Sequence, residues 1–222
     1  MNSDLTKRLI TSLFLLILLA LVFIYSYILI ILLIIVSIIS LMEFHGLVSR
    51  IFTKNKLTTK FLKLSIKTLC LIYLTFFSLL VFTGITQAPF YVIFLFLICI
   101  CSDIGGFIFG KIFKGKKLTK ISPNKTISGS LGSFILSLTL VPLFYYFFDQ
   151  FNNLFDLIVV AIIISFTSQL GDLLFSYLKR KAKVKDTGDL LPGHGGILDR
   201  IDGILFAIPV GMMIFKFLMN TI

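Results

Sequence analysis

The chain has 222 residues, of which 58% are hydrophobic, and its mean hydropathy is +1.05. Soluble domains have roughly 45–50% apolar residues, so this composition excludes an ordinary soluble globular domain. The net charge of +11 would suggest nucleic acid for a soluble protein, but basic residues in a membrane protein mark cytoplasmic loops, so we expect no nucleic-acid partner.

The first apolar stretch runs from Leu9 to Met42, which is too long for the hydrophobic region of a signal peptide and predicts a retained membrane anchor. It fits either one tilted helix or two short ones. Basic residues lie on both sides, among them Lys7 and Arg50, so both flanks should be cytoplasmic. We therefore predict a two-helix hairpin that turns near Tyr25–Tyr27; a re-entrant hairpin is the alternative.

Five further apolar stretches have the length of membrane-spanning helices. They are Ser65–Thr83, Pro89–Phe109, Ile127–Phe148, Leu154–Tyr177 and Ile204–Met219. The loops between them alternate in charge: Lys111–Lys125 and Lys179–Arg200 hold six basic residues each, whereas Gly84–Ala88 and Asp149–Asp156 hold none. This alternation places the N-terminus and both basic loops in the cytoplasm. The sequence therefore predicts an all-α polytopic membrane protein with about seven transmembrane helices and a single domain over 1–222.

Carboxylates near the membrane are the first candidates for chemistry. Asp103 and Asp172 fall at membrane depth, where an unpartnered carboxylate costs several kcal/mol; a helix-end residue that reaches the headgroups is the alternative. Asp199 and Asp202 are three residues apart and share one face if the last helix has already begun. Two carboxylates there would repel each other unless a cation lies between them. Oxygen ligands of this kind suit Mg²⁺.

The segment ISPNKTISGS contains Ser122, Lys125, Thr126 and Ser128 in a turn before a predicted helix. Backbone N–H groups at a helix start, with hydroxyls and a lysine, could bind phosphate. A helix N-cap explains Thr126 or Ser128 equally well. The basic cluster that begins at Lys179 is either a topology signal or a site for anionic headgroups.

His194 lies between glycines in PGHGG, where the backbone can approach a ligand closely. A histidine there could donate to phosphate or act as an acid or base. His45 has no such surroundings, and we interpret it as structural. Glu43, at the end of the first hydrophobic hairpin, remains ambiguous.

From Ser176 to Asp202 the sequence resembles the signature of the phosphatidate cytidylyltransferases, also called CDP-diacylglycerol synthases. The spacing is kept throughout. The matching residues are Ser176, Leu178, Lys179, Arg180, Lys185, Asp186, Pro192 or Gly193, His194, Gly195, Gly196, Ile197, Asp199, Arg200, Ile201 and Asp202. Upstream, QLGDLLFS and DIGGFIFGKIFKGKKLTKISPNKT resemble the family's Gly-Asp helix and its Ser-Pro-x-Lys-Thr loop. The resemblance thus covers about 102–203, although Ile127, Ser128 and Gly129 replace the family's Trp-Glu-Gly.

This resemblance implies transfer of CMP from CTP to phosphatidic acid, which gives CDP-diacylglycerol and pyrophosphate for phospholipid biosynthesis. It implies Mg²⁺ on Asp172, Asp199 and Asp202, beside a second, monovalent cation. The implied catalytic residues are Asp172, Asp199, Asp202, Lys179, Arg180 and His194. The implied ligands of CTP or lipid phosphate are Ser122, Lys125, Thr126, Lys185 and Arg200.

The expected partners are CTP, phosphatidic acid and membrane lipid, with a homodimer left open. The expected location is the bacterial cytoplasmic (inner) membrane, with the active site facing the cytoplasm. The nearest alternatives are a CDP-archaeol synthase and a polyprenol kinase. The full signature favours the CDP-diacylglycerol synthase over both. An ion transporter would spread polar residues through several spans, whereas here they concentrate at cytoplasmic ends. A structural scaffold leaves the long polar loop unexplained.

Overall fold

A computed structural model of the protein describes residues 26–53, 57–148, 153–190 and 195–219. Within these ranges the chain forms α-helices and no β-strand, which confirms the predicted all-α class. The helices are α1 (Ser26–Ile51), α2 (Leu57–Gln87), α3 (Pro89–Phe113), α4 (Ile127–Leu138), α5 (Leu140–Phe147), α6 (Leu154–Lys181) and α7 (Leu198–Met219).

Six helical stretches are long and apolar enough to cross a membrane, with α4 and α5 together forming one of them. They carry many exposed large hydrophobic side chains, as expected where helices face lipid. The chain is thus an integral membrane protein. The structure describes α1 from Ser26 onward. The first half of the predicted hairpin and its turn at Tyr25 lie outside the described residues, so the two-helix hairpin and the seventh span stay predictions.

The helix ends differ from the predicted ones, most clearly at the end of α6. Lys179 and Arg180 belong to its last turn and not to the following loop. Two hydrogen bonds close the helix, from Lys183 N to Arg180 O (3.1 Å) and from Val184 N to Lys179 O (3.0 Å). Lys183 adopts the left-handed conformation (φ 58°) that this type of helix end requires. Hydrophobicity ends at Tyr177, but backbone hydrogen bonding carries the helix one turn further.

A second difference is a break between α4 and α5, where the sequence predicted one stretch. Thr139 joins the two helices, and its backbone N–H donates to Leu136 O at 3.2 Å. Pro142 follows in the first turn of α5. Proline lacks an N–H and its ring collides with the carbonyl four residues earlier, so Pro142 disfavours a regular helix through Leu138 and Thr139.

The chain divides into two compact units. The first contains the described residues of Met1–Thr86 and Leu178–Ile201, and the second those of Gln87–Tyr177 and Asp202–Ile222. In the first unit, Ser37 Oγ in α1 lies 2.7 Å from Ser78 Oγ in α2. The single domain over 1–222 stays a prediction.

In the second unit, α4 lies against α3 at glycines. A Cβ atom on Gly105 would overlap the carbonyl oxygen of Gly132, and one on Gly129 would lie 2.7 Å from the carbonyl oxygen of Gly106. Small residues allow this close backbone approach between membrane helices. Ser133 Oγ also donates to Ser102 O at 2.6 Å. The start of α4, just after the lysine-rich loop, is therefore fixed on α3.

We expect Gly105→Ala to lower the free energy of unfolding by about 1–3 kcal/mol, because the added methyl group meets backbone atoms that cannot move aside as a side chain can. Thermal unfolding of the purified protein in detergent, followed by circular dichroism, measures this. Gly46→Ala in α1 is the matched control, since its Cβ would have no atom within 4 Å. Equal unfolding midpoints for the two variants would contradict the close packing of α3 on α4.

Candidate functional site

In the first unit, four side chains gather around the N-terminus of α7; we call Glu43, Lys179, Thr187 and Asp199 the Asp199 cluster. Lys179 Nζ lies 2.7 Å from Asp199 Oδ1. At Asp199 Oδ2, Thr187 N donates at 2.7 Å and Gly196 N at 3.1 Å. Only 12% of the Lys179 side chain and 6% of the Asp199 side chain are exposed. The ion pair is thus nearly buried, and both carboxylate oxygens are occupied by donors.

The sequence favours this arrangement locally. Lys179 lies in the last turn of α6 and Asp199 in the first turn of α7, where each charge has the sign that the helix dipole stabilises. Gly195 adopts φ 80°, a conformation that glycine tolerates best. A Cβ atom on Gly196 would overlap both Glu43 and Thr187. The backbone conformation at Gly195 and the lack of space at Gly196 therefore explain why glycine suits both positions after His194.

Glu43 completes the cluster from α1, and sequence reasoning left its role open. Its Oε1 accepts from Ile197 N at 3.0 Å, and its Oε2 accepts from Leu198 N at 2.9 Å. The Thr187 hydroxyl lies 2.8 Å from Glu43 Oε2. One signal could have pointed to it: Glu43 is the single glutamate of the chain, placed in an apolar stretch where a carboxylate is a functional candidate.

In the second unit, Lys125 and Asp172 form an ion pair through Nζ and Oδ2. Their side chains are 27% and 31% exposed, respectively. Ser176 Oγ lies 3.4 Å from the other oxygen of Asp172. The structure therefore joins two features that the sequence suggested separately, the Ser-Pro-x-Lys-Thr loop and the carboxylate of α6.

The loop that carries Lys125 folds back on itself before α4. Leu118 N donates to Lys125 O at 2.8 Å, and Lys125 N donates to Ser122 O at 3.1 Å. Thr126 is the N-cap of α4, since its hydroxyl accepts from Gly129 N at 3.0 Å. Of the two interpretations offered by the sequence, the N-cap is present at Thr126. The phosphate role of Ser122, Lys125 and Thr126 stays a prediction.

Asp202 lies where α7 approaches α6 in the second unit. A Cβ atom on Gly171 would lie 2.7 Å from Asp202 O. Gly171 immediately precedes Asp172. Because Gly171 has no side chain, the backbone next to Asp172 can lie close to the backbone of Asp202. α7 begins at Leu198, as the three-residue spacing of Asp199 and Asp202 required.

The remaining predicted residues lie on the surface or outside the described ranges. Arg180, Lys185 and Arg200 are exposed, as is Asp103 in α3. His194 falls in 191–194, outside the described residues. Across the described part of the chain, no three His, Cys, Asp or Glu side chains are grouped so as to hold a metal ion.

These features define a helical membrane protein with charged residues collected at the ends of its helices. Residues 47–218 match the cytidylyltransferase family. The chain belongs to this family.

Individual relatives match over a shorter region. Phosphatidate cytidylyltransferases of Staphylococcus haemolyticus and Staphylococcus saprophyticus are 48% identical over 122 residues, which are 54% of this chain and 46% of each relative. That of Staphylococcus epidermidis is 45% identical over 121 residues, with the same shares. The chain thus spans about half the length of the relatives it matches.

The two ion pairs should differ in their contribution to stability. Lys179→Met leaves a nearly buried carboxylate without its cation, so we expect a loss of roughly 3 kcal/mol in the free energy of unfolding. Lys125→Met leaves a carboxylate that water still reaches, so we expect a loss of about 1 kcal/mol or less. Thermal unfolding of both variants in the same detergent measures the difference. A larger loss of unfolding free energy for Lys125→Met than for Lys179→Met would contradict the greater burial of the Lys179–Asp199 pair.

Proposed function

We propose that this chain transfers CMP from CTP to phosphatidic acid, producing CDP-diacylglycerol and pyrophosphate. The observation that carries the proposal is the match to the cytidylyltransferase family over residues 47–218, which contain both ion pairs. The relatives are phosphatidate cytidylyltransferases, which supports phosphatidic acid as the acceptor.

In this reaction an oxygen of the lipid phosphate attacks the α-phosphorus of CTP. One phosphorus–oxygen bond forms, the bond from the α-phosphorus to the bridging oxygen breaks, and pyrophosphate leaves with that oxygen. The lipid phosphate is already anionic, so no strong base is required. The obstacle is repulsion between two polyanions. The enzyme must therefore position both substrates and neutralise their charge.

The described residues offer cations and hydroxyls for this task. Lys125, with Ser122 and Thr126 in its loop, would bind a phosphate of CTP or lipid. Lys179, Arg180, Lys185 and Arg200 would neutralise the triphosphate and the leaving pyrophosphate. His194 would donate to a phosphate oxygen or move a proton. Lys125 and Lys179 are already paired with Asp172 and Asp199, so each lysine has a neutralising partner before a phosphate binds.

We propose Asp172, Asp199 and Asp202 as the residues that would hold Mg²⁺. Their oxygens suit this cation chemically. Asp199 has Lys179 at one oxygen and two backbone donors at the other, so a cation there would compete with Lys179 for the carboxylate. Bound Mg²⁺ would supply charge neutralisation for the triphosphate. Lys125 and Lys179, displaced from Asp172 and Asp199, would then be available to the phosphates. The second, monovalent cation stays a prediction.

The proposed location is the bacterial cytoplasmic (inner) membrane, with the site facing the cytoplasm, where CTP is made. The positive-inside pattern supports this orientation, since both basic loops fall on one predicted side. Phosphatidic acid stays in the bilayer, so a membrane enzyme is required to reach it. A homodimer stays a prediction.

To test the proposal, purified full-length chain is supplied with CTP labelled in the cytidine ring, Mg²⁺ and phosphatidic acid in mixed micelles. We expect a labelled lipid that migrates with CDP-diacylglycerol and pyrophosphate in equal amount. Parallel reactions contain an archaeal-type ether-lipid phosphate or a polyprenol as the acceptor. Absence of labelled lipid with phosphatidic acid would overturn the proposal.

Substitution of the proposed metal ligands tests the charge requirement. We expect Asp172→Asn and Asp202→Asn each to lower kcat/KM at least about 100-fold, because each removes a negative charge that would face the cation. The matched control is Asp156→Asn in the first turn of α6, the end opposite Lys179, where we expect near-normal activity. A magnesium titration accompanies each assay. Activity of the Asp202 variant close to that of the unsubstituted protein would contradict its metal role.

A further inference from the structure

We propose that Glu43 is a positioning residue that fixes, for CTP binding, the two ends of the segment between α6 and α7, at Thr187 and at Ile197–Leu198, an inference that rests on the proposed function. Glu43 lies before residues 47–218, the part of the chain that matches the cytidylyltransferase family. The family match therefore assigns it no role. The evidence comes from the contacts of its carboxylate.

The Glu43 carboxylate binds both ends of this segment. At one end, the Thr187 hydroxyl lies 2.8 Å from Oε2. At the other, the backbone N–H groups of Ile197 and Leu198 donate to Oε1 and Oε2 at 3.0 Å and 2.9 Å. The partners are 144 to 155 residues away from Glu43 in sequence. One side chain of α1 thus holds Thr187 close to the first residues of α7.

Glu43 also stabilises the start of α7. The first N–H groups of a helix have no partner within the helix, and a carboxylate near them is favoured by the helix dipole. Ordinarily a residue of the same segment provides such a cap. Here a residue of a different helix provides it. α7 cannot shift along its axis without breaking the two N–H bonds to Glu43.

Glu43 reaches the proposed catalytic residue Asp199 through Thr187. The Thr187 hydroxyl lies 2.8 Å from Glu43 Oε2 and 2.9 Å from Asp199 Oδ2. It has one proton, so it donates to one carboxylate at a time. Lys179 occupies the far oxygen of Asp199. Without Glu43, the Thr187 hydroxyl can donate to Asp199 alone, which changes the hydrogen bonds of Asp199. The position of Lys179, which would bind the triphosphate, then changes with its partner Asp199.

Two glycines provide the space that the carboxylate needs. A Cβ atom on Gly188 would lie 2.8 Å from Glu43 Oε1, and one on Gly196 would overlap Oε2. Gly196 is the second glycine of the His-Gly-Gly motif. Its lack of a side chain is thus explained by the presence of Glu43.

Amide hydrogen exchange tests the positioning directly and does not depend on activity. The test compares unsubstituted full-length protein with Glu43→Gln, in which the amide nitrogen replaces one acceptor oxygen. We expect peptides that contain Ile197 and Leu198 to exchange at least about 10-fold faster in Glu43→Gln. Asp189→Asn is the matched control, because it removes one negative charge from an exposed position of the same segment. Unchanged exchange in Glu43→Gln would overturn the positioning role.

Kinetics then separate positioning for CTP from a purely structural role. We expect Glu43→Gln to raise the KM for CTP at least about 10-fold and to leave the KM for phosphatidic acid within about twofold. A structural role alone would lower Vmax and leave both KM values unchanged, and that result would overturn the inference. We expect Gly196→Ala, which keeps Glu43 but displaces its carboxylate, to give the same rise in the KM for CTP. This variant decides the question if Glu43→Gln does not fold.

The outcomes distinguish this inference from the proposed function. If the unsubstituted protein forms no CDP-diacylglycerol, the proposed function fails, and amide exchange still decides whether Glu43 holds the segment. If the protein is active and both variants keep a normal KM for CTP, the proposed function stands and the inference about Glu43 fails.

Discussion

The buried carboxylate of Asp199 imposes the main constraint on the first unit, because a charge with 6% of its side chain exposed requires partners. Lys179 provides the opposite charge, and backbone N–H groups of Thr187 and Gly196 provide further donors. These partners come from the end of α6 and from the segment before α7. Meeting this one electrostatic requirement therefore connects the elements that carry most of the family signature.

The second unit meets a similar requirement with less burial. Lys125 pairs with Asp172 at a position that water partly reaches. Close packing of α4 on α3 through glycines holds the start of α4, and with it the loop of Lys125. Both units thus pair an aspartate of the proposed metal set with a lysine of the proposed phosphate set.

Hydropathy predicted the all-α class and the approximate spans, because crossing a bilayer demands long apolar segments whatever their packing. It could not predict that α6 continues to Lys181, since that end depends on backbone hydrogen bonds around Lys183. The signature identified Asp199 and Lys179 but not Glu43, whose partners lie more than 140 residues away. The Lys125–Asp172 pair likewise depends on packing that no local pattern encodes.

The central claim is that these charges serve the transfer of a cytidylyl group to a lipid phosphate. The direct test supplies the protein and phosphatidic acid with CTP labelled at either the α- or the γ-phosphorus. Only the α-phosphorus can reach the lipid product if a cytidylyl group is transferred. We expect label in the lipid from the α-phosphorus alone, with the γ-label released in pyrophosphate. Label in the lipid from the γ-phosphorus would identify a kinase and contradict cytidylyl transfer.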